Sequence, residues 1–538
     1  MKLTKARAAV TAALLAATLT GCGVAGAVTG ASVDDSSTTT TTTATATPGA
    51  SVEAVLAANQ ESHAEADDGT YDAASATTVT LSGSTATVSG DGATVDGSTV
   101  TITAPGTYLL TGTLAGQVVV DSSAEGTVQV VLDDAHVTSS TGPALSVTAA
   151  DEAVVVLADG STNTLEDGSG YAHGAGEPDA ALYSAADLTI AGTGALTVTG
   201  NTDDGIGSQD GLVVLGGTVT VTAVDDAVRG KDYVRVEGGT LTATGGGDAL
   251  KSDNAEDADR GYVAVLGGTL ALTAGDDGIS AATDAAVGGG TTTISAEGDG
   301  IHGDVSATVG GGSTTVTKSG EGLEGKVVTV SGGTLSITSS DDAVNATDGS
   351  SSGGGMGGGG MSAQDGVSVT VSGGTLLVDA EGDGLDSNGS LSITGGTIVV
   401  SGPTGNGNGA LDTNGGLSIS GGTLLAAGSS GMAEAPSTDS AQGWVSATFD
   451  SGYAEGTVVQ VVHDGTVIAS FTASKTFSSL VFSSAAITAG ESYDIWVDGT
   501  PSGTAVGGLA LGGSTDGGSE LGTVTADVHT GGQGGGRP

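Results

Sequence analysis

The chain has 538 residues, with 62 acidic against 12 basic side chains for a formal net charge of −50, and 98 glycines beside only 4 Phe and 2 Trp. Such a surface argues against nucleic acid and anionic lipid as partners and favours divalent cations. So few aromatics argue against an ordinary compact core, whereas a repeat architecture needs none, and the single cysteine, Cys22, leaves neither an intrachain disulfide nor a cysteine metal site.

Residues 1–22 read as a bacterial secretion signal. Lys2, Lys5 and Arg7 precede a short apolar run, Ala8–Leu19. Leu19-Thr20-Gly21-Cys22 resembles a lipoprotein box with Cys22 as the lipidated residue, which predicts a lipid-anchored protein on the extracellular face of the cell envelope. Residues 23–50 are a Ser/Thr/Ala spacer unable to bury enough apolar surface to fold. Residues 51–68 show weak helical periodicity, with His63 and Asp67 one turn apart, and read as a surface helix. From Thr77 the pattern alternates like β-strands, with a loop at Glu166–Ala180.

The most regular stretch follows. It reads DDGIGS at Asp203, DDAVRG at Asp225, GDALKS at Gly247, DDGISA at Asp276 and GDGIHG at Gly298. Its second acids, Asp204, Asp226, Asp248, Asp277 and Asp299, lie 22, 22, 29 and 22 residues apart, and Glu321, Asp342 and Asp383 continue the series. Between these units a Gly-Gly-Thr marker recurs from Gly216 to Gly421. Two markers on one period of about 22 residues predict an all-β solenoid, a right-handed parallel β-helix over 51–430. Ile206, Val228, Leu250, Ile279, Ile301, Leu323, Val344, Leu385 and Leu411 should stack inside it. A Gly/Met loop at 350–362 interrupts the period. After Gly431 all the Phe and Trp appear, which predicts a C-terminal β cap over 431–500. Its aromatics are also candidates for stacking on sugar rings. Residues 501–538 read as a Gly-rich flexible tail.

Stacking brings equivalent acids about 4.8 Å apart, and like charges that close repel. Ca²⁺ held by Asp203, Asp204, Asp225, Asp226, Asp248, Asp276, Asp277 and Asp299 would relieve this. The alternative is that each Asp bonds backbone N–H groups of its own turn. Five basic residues cluster nearby: Arg229, Lys231, Arg235, Lys251 and Arg260. Arg229 and Lys251 hold equivalent positions, and His302, Glu324, Asn345, Asp386 and Asp412 continue their column. Arg229, Lys231, Arg235, Lys251, Asp253, Asn254 and His302 are therefore the candidate contacts to an anionic sugar. The competing reading is that the bases only neutralise the acids. The Thr after each Gly-Gly could also build a flat ladder of the ice-binding sort.

The segments GTYLLTGTL (106–114), VQVVLDDAHVTSSTGPAL (128–145), DAVRGKD (226–232), GDALKSDNAEDADRGYV (247–263), FTASKTFSSLVFSS (471–484) and GESYDIW (490–496) resemble the bacterial secreted "carbohydrate-binding domain-containing" family. The resemblance covers roughly residues 52–500. It implies a parallel β-helix related to pectate lyases, bound Ca²⁺, and binding of cellulose and polygalacturonate. It also raises a Ca²⁺-dependent lyase, with Lys251 or Arg229 as candidate base, although a dense acid ladder favours the charged, unreactive form of a Lys. The expectation is thus a monomeric polysaccharide-binding lipoprotein that meets the membrane only through its lipid. A pectate lyase and a structural adhesin are the alternatives.

Overall fold

The computed structural model describes residues 44–172, 174, 177–349 and 362–528. The expected signal, Cys22, most of the spacer, residues 350–361 of the Gly/Met loop and residues 529–538 lie outside them.

Almost every described element is a short strand, and the 22-residue period is the reason. Each strand in the repeats pairs in parallel with its equivalent one repeat later, so three ladders of strands build up together. The first runs through Asp204–Ser208, Val228–Gly230, Leu250–Ser252 and Ile279–Ala281 to Leu411–Thr413. The second runs through Gly211–Val214, Tyr233–Val236, Tyr262–Val265 and Asp284–Val287 to Leu417–Ile419. The third runs through Thr218–Ala223, Thr240–Gly245, Thr269–Ala274 and Thr291–Ala296 to Thr423–Gly428.

Alternation puts every second side chain of a ladder into one continuous apolar core. The column from Ile206 through Val228, Leu250, Ile279, Ile301, Leu323, Val344 and Leu385 to Leu411 is buried as expected, none of it more than 1% exposed. Burying one such side chain contributes about 1.5–3 kcal/mol. The Gly-Gly-Thr markers sit where the chain turns into the third ladder. The second glycine has positive φ, +80° at Gly239, and a Cβ there would lie 2.7 Å from the Gly217 carbonyl oxygen of the preceding repeat. Only glycine fits both the angle and the approach.

The outward side chains give each ladder its own chemistry. The first ladder presents charged and polar groups. The second is mixed, its outward column running through Val213, Arg235, Ala264, Ala286, Thr308 and Thr329, and residues 44–71 lie across it as a strap. Val52 and Val55 of the helix Val52–Ala58 pack near Ala286, and Leu56 and Ala64 near Val213, Tyr233, Tyr262 and Ala264. Tyr71 packs on Val131, Val154 and Val156. Polar bonds pin the strap along its length. Gly49 N donates to Thr329 Oγ1, Asn59 Nδ2 to Asp284 Oδ2, and His63 N to Tyr233 Oη, while Gln129 Nε2 donates to the carbonyls of Asp68 and Thr70. The helix is shorter than the pattern over 51–68 predicted. His63 does not pair with Asp67; its ring lies against Tyr233 Oη, Thr189 Oγ1 and Asp187.

The third ladder exposes threonines, including Thr218, Thr220, Thr222, Thr240, Thr242 and Thr244. Further along, its outward positions become Leu377, Val399 and Leu425, which join the core of the C-terminal unit. There Phe477–Ser483 pairs antiparallel with Thr423–Gly428, and a five-stranded antiparallel sheet follows. Trp444, Phe471, Phe477 and Phe482 are at most 2% exposed and offer no ring face to a sugar, because they fill the interior of that unit and its junction with the ladders. The stretch expected as a flexible tail is ordered through Val528. Leu509–Ala510 and Ser519–Thr525 form the two edge strands of the sheet, the second with Val524 packed on the core of the unit and a register shift along its pairing with Ser492–Val497.

Candidate functional site

The first ladder gathers the predicted site residues, and two rows of side chains make it. In the inner row each acid accepts a backbone N–H from the next repeat. Asp204 Oδ1 accepts from Asp226 N at 3.1 Å, Asp226 from Asp248 N at 2.8 Å, Asp248 from Asp277 N at 2.8 Å, Asp277 from Asp299 N at 2.7 Å and Asp299 from Glu321 N at 3.2 Å. The like charges are therefore tolerated partly through backbone donors, but these lie one repeat on and not in the acid's own turn. Three predicted metal ligands, Asp203, Asp225 and Asp276, flank this row. Oxygens of Asp203, Asp204 and Asp225 come within 4.8 Å of one another, as do those of Asp248, Asp276 and Asp277. The same holds for ligand atoms of Asp277, Asp299 and His302, and of Asp299, Glu321 and Glu324.

The outer row is the predicted column. Register places Arg229, Lys251, Ser280, His302, Glu324, Asn345, Asp386 and Asp412 on successive strands. Its cations are engaged. Arg229 bonds Asp204 at 2.6 Å, Asp179 at 2.8 Å and Asp253 at 3.4 Å, with its side chain 12% exposed. Burial pushes the Asp204 carboxyl up to about 7 against the pull of Arg229. With the guanidinium this close on two sides, the ionised pair is the state the geometry fixes. Lys251 Nζ lies 3.1 Å from Asp226 and 2.9 Å from Asp248. Burial lowers its pKa, but the bonds and charges of Asp248 and Asp226 outweigh this and raise it. Lys251 is thus held charged, the wrong state for a base. Burial also lowers His302, yet Asp299, Asp304 and Glu324 raise it to about 12, so it is a fixed cation.

The remaining candidates disperse. Arg235 belongs to the second ladder, where it bonds Glu237. Asn254 is buried, donating to Asp232 Oδ1 at 2.7 Å, and Arg260 bonds Asp232. Lys231, half-buried beyond the end of strand Val228–Gly230, has no carboxylate bonded to it among the described residues. The basic patch therefore splits around a corner. Arg229 and Lys251 share an offset within the repeat, while Arg235 lies six residues on from Arg229, in the next strand. Asp179 was missed by sequence reasoning, since it lies just before strand Ala180–Ser184 and outside the period. Glu321 and Asn345 carried a signal, as both fall on the predicted series.

Among the described residues this face can bind cations through carboxylate oxygens and hydroxyl-rich polymers through a straight row of hydrogen-bonding groups. The profile of the family described as "carbohydrate-binding domain-containing protein" matches residues 96–366. A "carbohydrate-binding domain-containing protein" of Acetivibrio thermocellus is 38% identical over 128 residues, which are 23% of this chain and 45% of that relative. The match thus spans under half of the relative's length. A solved structure titled as a polysaccharide lyase-like protein from C. thermocellum, a gadolinium derivative, aligns at 30% identity and a TM-score of 0.43 over 44% of this chain and 99% of its own. The family profile covers half of the chain, and the protein belongs to the carbohydrate-binding domain-containing family.

Proposed function

We propose that this protein binds an extended polysaccharide along its first ladder and that its three ladders wind as a right-handed parallel β-helix. The observation that carries the reading is the outer row, in which eight polar side chains from Arg229 to Asp412 stand in register on a member of a carbohydrate-binding family. Equivalent positions recur about every 4.8 Å, so the row is a straight line of donors and acceptors, as an extended polymer requires. Because Arg229 and Lys251 are already paired with carboxylates, an acidic polymer such as polygalacturonate needs Ca²⁺ as the bridge. The clusters Asp203–Asp204–Asp225 and Asp248–Asp276–Asp277 supply oxygen ligands, with Asp225 and Asp276 exposed at the edge. A neutral β-linked glucan such as cellulose would use the row without the metal. Lipidation of Cys22 would hold the protein at the outer face of the envelope, and Cys22→Ala should then shift it from the membrane fraction to the medium.

Retention of the purified protein on polygalacturonate and on cellulose, in Ca²⁺ and in chelator, tests the proposal. Retention on the acidic polymer should require Ca²⁺ and fall at least tenfold in Asp225→Asn combined with Asp276→Asn. A protein that binds neither polymer in Ca²⁺ would sink the reading.

A further inference from the structure

The outer row continues past the last strand of the first ladder. Glu434 lies 22 residues after Asp412, one more period, in a segment that forms no strand. Pro436, which takes the place of Asn414 in that period, has no N–H with which to extend the ladder. The segment still lies against the last repeat. Thr413 N donates to Glu434 Oε2 at 3.1 Å, Ser437 N donates to the Leu417 carbonyl at 2.8 Å, and a Cβ on Gly409 would lie 2.5 Å from the Met432 carbonyl oxygen. Residues 413–417 and 430–438 thus face each other across a cleft of about 650 Å³, room enough for a small ligand.

The groups lining this cleft are unspent, unlike Arg229 and Lys251. Among the described residues the hydroxyls of Thr413, Ser430 and Ser437 make no hydrogen bond within the protein, and Asn414 is bonded through Nδ2 alone, to Asn388 Oδ1 at 2.9 Å. Met432 is 45% exposed at the same place, with a flexible apolar side chain. A sugar ring carries hydroxyls on its rim and C–H groups on its face, so free hydroxyls beside an exposed thioether match both. Glu434 is the one charged residue lining the cleft. Burial first, and Asp412 after it, push its carboxyl up to about 7. A uronate carboxylate would therefore meet Glu434 and Asp412 as like charges, with no base on the cleft wall to receive it.

We propose that this cleft is a subsite for a neutral sugar residue, placed where the outer row ends, with Thr413, Asn414, Ser430 and Ser437 bonding its hydroxyls and Met432 covering its C–H face. The cleft lies outside residues 96–366, the stretch that the family profile matches. Its service as the end of a longer track rests on the polysaccharide reading, whereas its hold on a short oligosaccharide does not. It selects uncharged glycans over uronates, and it needs no metal to do so.

Titration of the full chain with cellotetraose and with tetragalacturonate, both in chelator, tests it. Cellotetraose should bind at least tenfold more tightly than tetragalacturonate, and Glu434→Gln should narrow that preference by admitting the uronate. Met432→Ala combined with Ser437→Ala should weaken cellotetraose at least tenfold. The melting temperature should stay where it is, since among the described residues neither side chain makes a hydrogen bond within the protein. Labelling the Met methyl groups with ¹³C gives a readout in the parent itself. The signal that disappears in Met432→Ala should shift when cellotetraose is added. Cellotetraose binding that is lost in the double variant, in a protein that cellulose does not retain, would uphold the cleft and sink the polymer reading. Retention on cellulose with an unmoved Met432 signal would overturn the cleft and leave the polymer reading standing. Parent and double variant of equal affinity, or a parent that does not bind cellotetraose, would also overturn it.

Discussion

Asp204 and Arg229 show how single residues make this surface possible. A buried carboxylate without a partner is costly, and here one oxygen takes a backbone N–H while the other meets a guanidinium. Removing the guanidinium leaves Asp204 and Asp179 uncompensated at the start of the row. Arg229→Met should destabilise the protein by about 3–5 kcal/mol, the cost of breaking a buried pair from one side, read as a shift of the urea midpoint at pH 7. Lys318→Met is the control. Its pair with Glu297 is exposed on both sides, so its loss should leave the midpoint nearly unchanged. The Asp204 half of this arrangement was legible in the sequence, since Asp226 N comes 22 residues later. The Asp179 half was not, because 50 residues separate it from Arg229 and no period links them.

The elements differ mainly in what covers them. Strands of the second ladder point Val213, Tyr233, Tyr262 and Ala264 outward, and the strap makes this tolerable. Tyr233 Oη receives His63 N and lies 2.6 Å from its Nδ1, so Tyr233→Phe leaves a backbone donor unpaired under the strap. A loss of about 1–3 kcal/mol is expected, with faster hydrogen exchange over residues 59–64 than over the third ladder. Equal exchange in both segments would count against the strap as a separately held element. The late repeats of the first ladder carry a pH signature. Burial first, and neighbouring acids after it, push Asp386 up to about 8, and Asp342 to about 7. Folded values above the unfolded ones mean that the native state holds more protons between pH 4 and these values. The stability they contribute is present below the ordinary carboxylate pKa and is lost as pH rises through 7–8. In chelator the melting temperature should therefore fall from pH 5 to pH 8.5. A flat or rising profile would contradict this assignment.

At the scale of the whole molecule, three ladders give three outward faces: one ionic, one under the strap, and one of threonine that turns apolar where the C-terminal unit covers it. The sequence alone determined the repeat, its inward column and the registry of both rows on the ionic face. In a stack of equivalent strands a period of 22 is itself the pairing register, so residues one period apart must become neighbours. The sequence also carried the 29-residue step between Asp248 and Asp277, whose extra residues leave the ladders between Ser252 and Tyr262 without disturbing the pairing on either side. What only the tertiary structure decided was which outward side chains are open and which are spent. His63 meets Tyr233 across 170 residues and Gly49 meets Thr329 across 280, contacts that no local pattern encodes. The expected flexible tail became an edge strand because Ser492–Val497, paired on one side with Val458–His463, left its other edge open to receive it. Arg229 and Lys251, which looked available to a ligand, proved committed to Asp204, Asp226 and Asp248, because a counter-charge within about 3 Å in a half-buried row outweighs exposure to solvent.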